Sequence, residues 1–278
     1  MRFSLNRSFA GEGYMLLAID AGNTNIVFAI CEGKEIRAEW RAVMEQHRTA
    51  DEYAVLLNPL LALEGMSFAD LDCAIIATVV PAALFDLRLF CRRYLQCEPL
   101  VVGEPDVDLG IQIHVDRPVA VGADRLVNTV AAHERYDGAL IVVDFGTATT
   151  FDVVSAMGDY EGGVIAPGVN VSAEALHQAA AMLPRVAIQK TQSVIGKDTM
   201  PAMQSGLYWG YIALIEGLVS RIRAEYGEPM TVIGTGGLAG LFYKQTQVLD
   251  HLDADLTIRG LVLIHARNTI PVAARLQN

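Results

Sequence analysis

An apolar run beginning at Met15 ends in the turn Asp20-Ala-Gly-Asn-Thr-Asn25, and the same device returns where Leu140 to Val143 runs into Asp144-Phe-Gly-Thr-Ala-Thr-Thr150. A second extended stretch follows each turn, Ile26 to Cys31 in the first case and Phe151 to Val154 in the second. The interval between the copies is long enough for a whole domain, so the repeat implies two homologous halves rather than a small internal motif. The 278 residues divide accordingly into an N-terminal extension over 1–14, a first domain over 15–118 and a second over 119–278, with no Pro-, Ser- or Gly-rich linker between them.

Periodicity fills in the halves. After the first turn come a break at Glu32-Gly33-Lys34, a stretch around Ile36 to Trp40, and Thr49-Ala-Asp-Glu, which resembles a helix N-terminus ahead of Leu56, Leu57, Leu60 and Leu61. Ala74 to Val80 reads as a buried strand, Leu84, Leu87 and Leu89 mark a helix after Pro81, and Leu100 to Val102 completes a β-β-β-α-β-α-β series. The second half predicts helices over Ala123–Tyr136, Val171–Met182 and Ala202–Tyr226, a strand at Met230–Ile233 entering Gly234-Thr-Gly-Gly-Leu238, and a closing helix around Leu261–Ala266. Both halves are α/β.

Composition excludes several classes. With 52% hydrophobic and 19% charged residues the chain is globular. A net charge of −11 without a Lys/Arg stripe argues against nucleic acid as a partner. Any polyanionic ligand must then be held by backbone amides and a cation. Cys31, Cys73, Cys91 and Cys97 form no Cys-x-x-Cys pair, and the six histidines are dispersed, so the cysteines read as reduced core thiols without a structural metal. The apolar stretch Cys73–Phe85 is too short for a bilayer and contains Pro81, so no membrane is expected. Residues 1–14 lack the apolar core of a secretory signal, which leaves the cytoplasm as the expected location.

The turns carry the chemistry. A strand that delivers an aspartate into a Gly-containing hairpin exposes successive backbone N–H groups suited to phosphate oxygens, with Asn23, Thr24 and Asn25 beside Gly22 as further donors and the Asp20 carboxylate placed for Mg²⁺ or its waters. Taken singly, Asp-x-Gly-Asn-Thr is also an ordinary hairpin turn. The second copy shifts the balance, because Thr147, Thr149 and Thr150 after Gly146 are more threonines than a turn needs. Near the end, Gly234-x-Gly-x-x-Ala239 also satisfies a dinucleotide fingerprint, but too little chain follows to complete such a domain.

Two Asp-Gly-Thr hairpins from duplicated halves, followed by a strand entering Gly236-Gly237, resemble the phosphate and adenosine elements of the superfold shared by actin, hexokinase and the large heat-shock chaperones. The resemblance implies two duplicated actin-like (ribonuclease H-like) ATPase domains with an interdomain nucleotide cleft. Gly122-Ala-Asp-Arg125 after Pro118, the opening Asp-x-Gly-Asn-Thr, Asp-Phe-Gly-Thr-Ala-Thr-Thr, Gly162-Gly-x-Ile-x-Pro-Gly168 and the late Gly-Gly-Leu together resemble the type III pantothenate kinases, in order, from about Met15 to Leu263.

That resemblance implies ATP-dependent phosphorylation of pantothenate to 4′-phosphopantothenate, the first step toward coenzyme A. It implies Asp124 as general base on the pantothenate hydroxyl and Arg125 as anchor of its carboxylate, with Gly122 and Ala123 alongside. It also implies Asp144 as the ligand of K⁺ or NH₄⁺, and a homodimer in which Thr199 reaches pantothenate across the interface. One flank departs from the family: Arg117-Pro-Val-Ala-Val121 lacks the Asn and Glu of the usual Asn-Pro-x-Glu-Val. Two other readings stand beside this one, an actin-like kinase of another small hydroxylated metabolite and a non-catalytic regulator that kept the fold. Asp20, Asp124 and Asp144, all present, favour an enzyme.

Overall fold

The computed structural model describes residues 13–179 and 183–269. Most of the expected 1–14 extension, and residues 180–182 at the end of the helix expected over 171–182, lie outside the described residues.

The chain opens with a meander of β1 (Met15–Ala21), β2 (Asn25–Glu32) and β3 (Glu35–Val43), then α1 (Ala50–Leu63), β4 (Cys73–Thr78), α2 (Pro81–Phe90) and the short β5 (Leu100–Val101). These strands form one sheet in the order β3-β2-β1-β4-β5, with β1 antiparallel to β2 and parallel to β4. β1 and β2 are near-continuous apolar runs because both of their faces are covered, whereas edge strand β3 alternates between half-buried and exposed residues. As the sequence predicts, α1 starts on a capping box: the Glu52 N–H donates to Thr49 Oγ1 at 3.4 Å and the Thr49 N–H donates to Glu52 Oε2 at 2.8 Å.

After α3 (Ala123–Arg135) the pattern repeats as β6 (Ala139–Phe145), β7 (Ala148–Val154) and β8 (Tyr160–Pro167), followed by α4 (Val169–Ala179), α5 (Thr199–Tyr226), β9 (Met230–Thr235), α6 (Ala239–Tyr243), β10 (His251–Leu252) and α7 (Leu256–Thr269). The second sheet runs β8-β7-β6-β9-β10, strand for strand the topology of the first. The duplication inferred from two turns is thus a duplication of whole sheets, and the α/β class holds.

Residues 13–111, 117–131 and 257–269 make one compact unit, and 112–116 with 132–256 the other. Chain order alone would assign α7 and all of α3 to the second half. They sort otherwise because the first sheet has two faces to cover. One face packs Leu17, Ile19, Phe28 and Ile76 against Leu57 and Leu61 of α1 and Leu87 and Phe90 of α2. The other face, Leu16, Ala18, Ala29, Ile75 and Ala77, is closed by Ala123 and Val127 of α3 and by Ile258, Leu261 and Val262 of α7. Residues 112–116 instead join the β8 edge, where the His114 N–H donates to Tyr160 O at 2.8 Å and the Tyr160 N–H donates to Gln112 O at 2.9 Å.

The four cysteines are free, and burial pushes all four thiols up, those of Cys31 and Cys97 to about 12. Among the described residues no helix is long and apolar enough to cross a membrane.

His265 of α7 is only 2% exposed, packs its ring 5.3 Å from that of Tyr14, and has no hydrogen-bond partner for Nδ1. Burial pushes its pKa down to about 4. An unfolded histidine titrates near 6.5, so stability held above that pH is lost as pH falls towards 4. Between pH 7 and pH 5 urea unfolding should register a loss of about 2 kcal/mol from this residue, absent in His265→Phe. An unchanged slope in the variant would assign the effect elsewhere.

Candidate active site

Each central strand delivers its aspartate at the penultimate position. Asp20 pairs in register with Val27 across β2 and Ala77 across β4, and the Gly22 N–H closes the hairpin on Asn25 O at 3.0 Å. Asn23 and Thr24 are exposed at its tip, Asn25 is half-buried, and the Thr24 carbonyl accepts from the Met44 N–H at 2.9 Å, which ties the tip to the end of β3. The base of the hairpin is held as well: Ala21 O accepts from the Val79 N–H at 3.1 Å and from the Thr78 hydroxyl at 3.2 Å.

Val79 also connects the hairpin to Gly122-Ala-Asp-Arg125. A Cβ on Gly122 would lie 3.3 Å from Val79 Cγ1 and 2.6 Å from Asp124 Oδ1, so this glycine admits both neighbours. Asp124 stands in the first turn of α3, half-buried, and accepts from the Arg125 N–H at 2.8 Å. Burial raises its pKa above the ordinary carboxylate value, partly offset by that hydrogen bond and by the Arg125 charge. A carboxylate of raised basicity beside the residues that hold the base of the Asp20 hairpin suits general-base work. Ala123 is buried and packs on the sheet, so its side chain supports the turn. The departed flank Arg117–Val121 is a single turn, Pro118–Ala120, whose residues are exposed.

In the second unit Asp144 pairs with Thr150 on β7 and Thr235 on β9, and the Gly146 N–H donates to Ala148 O at 3.0 Å. Two further glycines close on this hairpin. Gly236 has φ +88°, and a Cβ there would overlap Asp144 Oδ1 and sit 2.8 Å from Phe145 N. Gly168, the last residue of the Gly162–Gly168 motif, donates its N–H to Thr147 O at 3.1 Å, and a Cβ on it would lie 2.7 Å from Gly146 O and 2.9 Å from the Thr147 carbonyl carbon. The sequence shows the motif; only the contact explains it.

The threonines divide their labour. Thr147 is exposed on the hairpin, and the Thr150 hydroxyl donates to Asp152 Oδ2 at 3.0 Å. Thr149 is fully buried and hydrogen-bonds with the Tyr211 hydroxyl of α5, so its side chain serves the core and supplies no donor to a ligand, contrary to the expectation from sequence. Nothing in the sequence marks Tyr211 as its partner. Gly237 is exposed at the mouth of the turn into α6. Thr199 opens α5, exposed, with its N–H capped by Asp198 Oδ1 at 2.7 Å.

The dinucleotide alternative fails on this geometry. The helix after Gly234-x-Gly-x-x-Ala239 runs only Ala239–Tyr243, and of the two aspartates spaced to reach a ribose, Asp253 and Asp255, Asp253 is buried and bound by Arg135 at 2.9 Å and Tyr136 at 3.2 Å.

The family model for type III pantothenate kinases matches residues 16–221. The chain belongs to the type III pantothenate kinase family. It is 62% identical over 258 residues to the type III pantothenate kinase of Paramagnetospirillum magneticum, covering 93% of this chain and 99% of that one. It is 63% identical over 254 residues to that of Rhodospirillum rubrum, covering 91% and 99%. A solved structure from Sinorhizobium meliloti described as a 2-dehydro-3-deoxygalactonokinase superposes with a TM-score of 0.54 at 16% identity, covering 91% of this chain and 96% of that one. That likeness places this pantothenate kinase family member in the actin-like ATPase and sugar-kinase fold.

Gly168→Ala should move the Asp144 hairpin by about an ångström, because its methyl meets backbone carbonyls that cannot rotate away. Calorimetric titration with ATP is expected to show affinity lower by roughly tenfold or more. Wild-type affinity would detach Gly168 from nucleotide binding.

Proposed function

We infer that this chain transfers the γ-phosphoryl group of ATP to the primary hydroxyl of pantothenate, giving 4′-phosphopantothenate and ADP as the first step of coenzyme A biosynthesis. The observation that carries the reading is the family match over residues 16–221, with Asp20, Asp124 and Asp144 each at the end or start of the element that should present it.

Phosphoryl transfer asks for in-line positioning, charge neutralisation and a base near the nucleophile. The Asp20 hairpin over Gly22 to Asn25 and the Asp144 hairpin over Gly146 to Thr150, with the Thr147 hydroxyl, are assigned to the phosphates, and Gly236 and Gly237 to the adenosine end. Asp124 takes the hydroxyl proton as that oxygen attacks the γ-phosphorus and the bond to the ADP oxygen breaks. The Arg125 guanidinium suits the pantothenate carboxylate because its fork donates two parallel hydrogen bonds.

The donors at both hairpins are carboxylate, hydroxyl and carbonyl oxygens, a set that fits hard cations. Among the described residues no three His, Cys, Asp or Glu side chains group together, which fits Mg²⁺ held largely by substrate phosphates. Asp20 is assigned to Mg²⁺ through water and Asp144 to K⁺ or NH₄⁺; when bound, these cations neutralise phosphate charge on a protein of net charge −11.

The proposed assembly is a cytoplasmic homodimer in which Thr199 contacts pantothenate bound to the partner. Exposed Val194, Ile195 and Met200 beside Thr199 support it, being apolar side chains that a second copy would cover.

ADP release with Mg²⁺-ATP and pantothenate, in K⁺ and in Na⁺ as sole monovalent cation, tests the reading. Turnover that requires both pantothenate and K⁺ is expected; none in either salt would sink the substrate assignment. Asp124→Asn should lower kcat by about 10²- to 10⁴-fold. Because the raised pKa of Asp124 must be exceeded for the base to be ionised, the acid limb of kcat/KM should lie above the ordinary aspartate range. A limb at the ordinary value would argue that another group limits the rate.

A further inference from the structure

The last described helix of the chain packs directly behind the helix that opens with Gly122–Arg125. Gly260 of α7 is buried against the backbone of α3: a Cβ there would overlap the Val127 carbonyl oxygen and reach 2.6 Å from Val127 Cγ1 and 3.0 Å from the Val127 carbonyl carbon. One turn earlier on α7, the Thr257 hydroxyl donates to Oδ1 of Asn128 at 2.8 Å, and Asn128 is fully buried. Val127 and Asn128 are three and four residues beyond Asp124, which is one helical turn, so both contacts bear on the turn that carries the carboxylate.

The opposite side of that turn is equally constrained. Ala123 and Val127 share an apolar layer with Ile75 and Ala77 of β4 and with Ile258 and Leu261 of α7, and Gly122 lies against Val79 just past β4. Within the turn, the Arg125 N–H donates to Gly122 O at 3.1 Å, and the Thr129 hydroxyl donates to Arg125 O at 2.9 Å. A contact made backbone to glycine has no rotamer to absorb a change, so its spacing passes to the helix as a whole.

We propose that α7 sets the depth of Asp124, with Gly260 and Thr257 as positioning residues that fix how far the first turn of α3 stands from the end of β4. The proposal rests on the reading of Asp124 as the base. It gives α7 a part in catalysis through its contacts with Val127 and Asn128 of α3. A misplacement on the order of 1 Å can cost about a hundredfold in rate, which is the scale a single methyl at residue 260 would impose.

Steady-state kinetics and pH–rate profiles of Gly260→Ala, Thr257→Val, Thr257→Ser, Asp124→Asn and a control, Gly217→Ala in α5, make the test. A Cβ on Gly217 meets nothing within 4 Å, so this variant should match wild type. Gly260→Ala is expected to lower kcat by roughly tenfold or more with KM for ATP unchanged. Its acid limb should move down towards the ordinary aspartate range as the carboxylate gains solvent. Thr257→Val should do the same more weakly, and Thr257→Ser, which keeps the hydroxyl, should restore wild-type behaviour. A lowered kcat with an unmoved acid limb would reduce α7 to a stability element and overturn the proposal. Should Gly260→Ala fail to fold, Thr257→Val decides: wild-type kcat and pH profile in that variant also overturn it. An active Asp124→Asn would bring down the base assignment and the proposal together. An inactive Asp124→Asn beside wild-type-like α7 variants would bring down the proposal alone.

Discussion

Two strands with no freedom to slide govern the rest of this structure. β1 and β6 each run through the middle of a sheet, antiparallel to one neighbour and parallel to the other, and both are buried along most of their length. A one-residue slip would turn every side chain to the opposite face and break two ladders at once. Asp20 and Asp144, penultimate on these strands, therefore sit where the sheets fix them, and a glycine two residues on closes each hairpin, the Gly22 N–H donating to Asn25 O and the Gly146 N–H to Ala148 O.

Glycines then decide what may approach these ends. Gly236 and Gly168 bring backbone into contact with the Asp144 hairpin, and Gly122 lets the Asp124 carboxylate fold back beside Val79. The same logic acts at longer range in Gly260, where α7 touches the backbone of α3. For an acidic chain this matters electrostatically. With a net charge of −11, phosphate must be held by local dipoles and cations rather than by the overall field, and local dipoles act only at short range.

Much of the site was legible because its parts are local. Asp20-Ala-Gly-Asn-Thr, Asp144-Phe-Gly-Thr and Gly122-Ala-Asp-Arg each lie within a few residues, and each proved to sit at a strand end or a helix start. The capping box at Thr49 was readable for the same reason. Thr149 was not. Its pattern matches Thr147 and Thr150, but strand alternation turns it into the core against Tyr211, a partner on a helix far along the chain. Gly168 was visible as a motif and opaque as a cause, since the carbonyls it meets belong to another hairpin.

By itself the sequence determined the α/β class, the duplication, the two hairpins that follow Asp20 and Asp144 and the family, because these depend on short-range pattern and on residue types at fixed spacing. Tertiary structure alone decided which helices cover which sheet. The first sheet exposes a second apolar face that no element of residues 15–118 closes completely, and burying it drew in the start of α3 and all but the first residue of α7. Burial of that face depends on area and shape rather than on chain order, which is why α7, from far along the chain, packs against Val127 and Asn128 of α3.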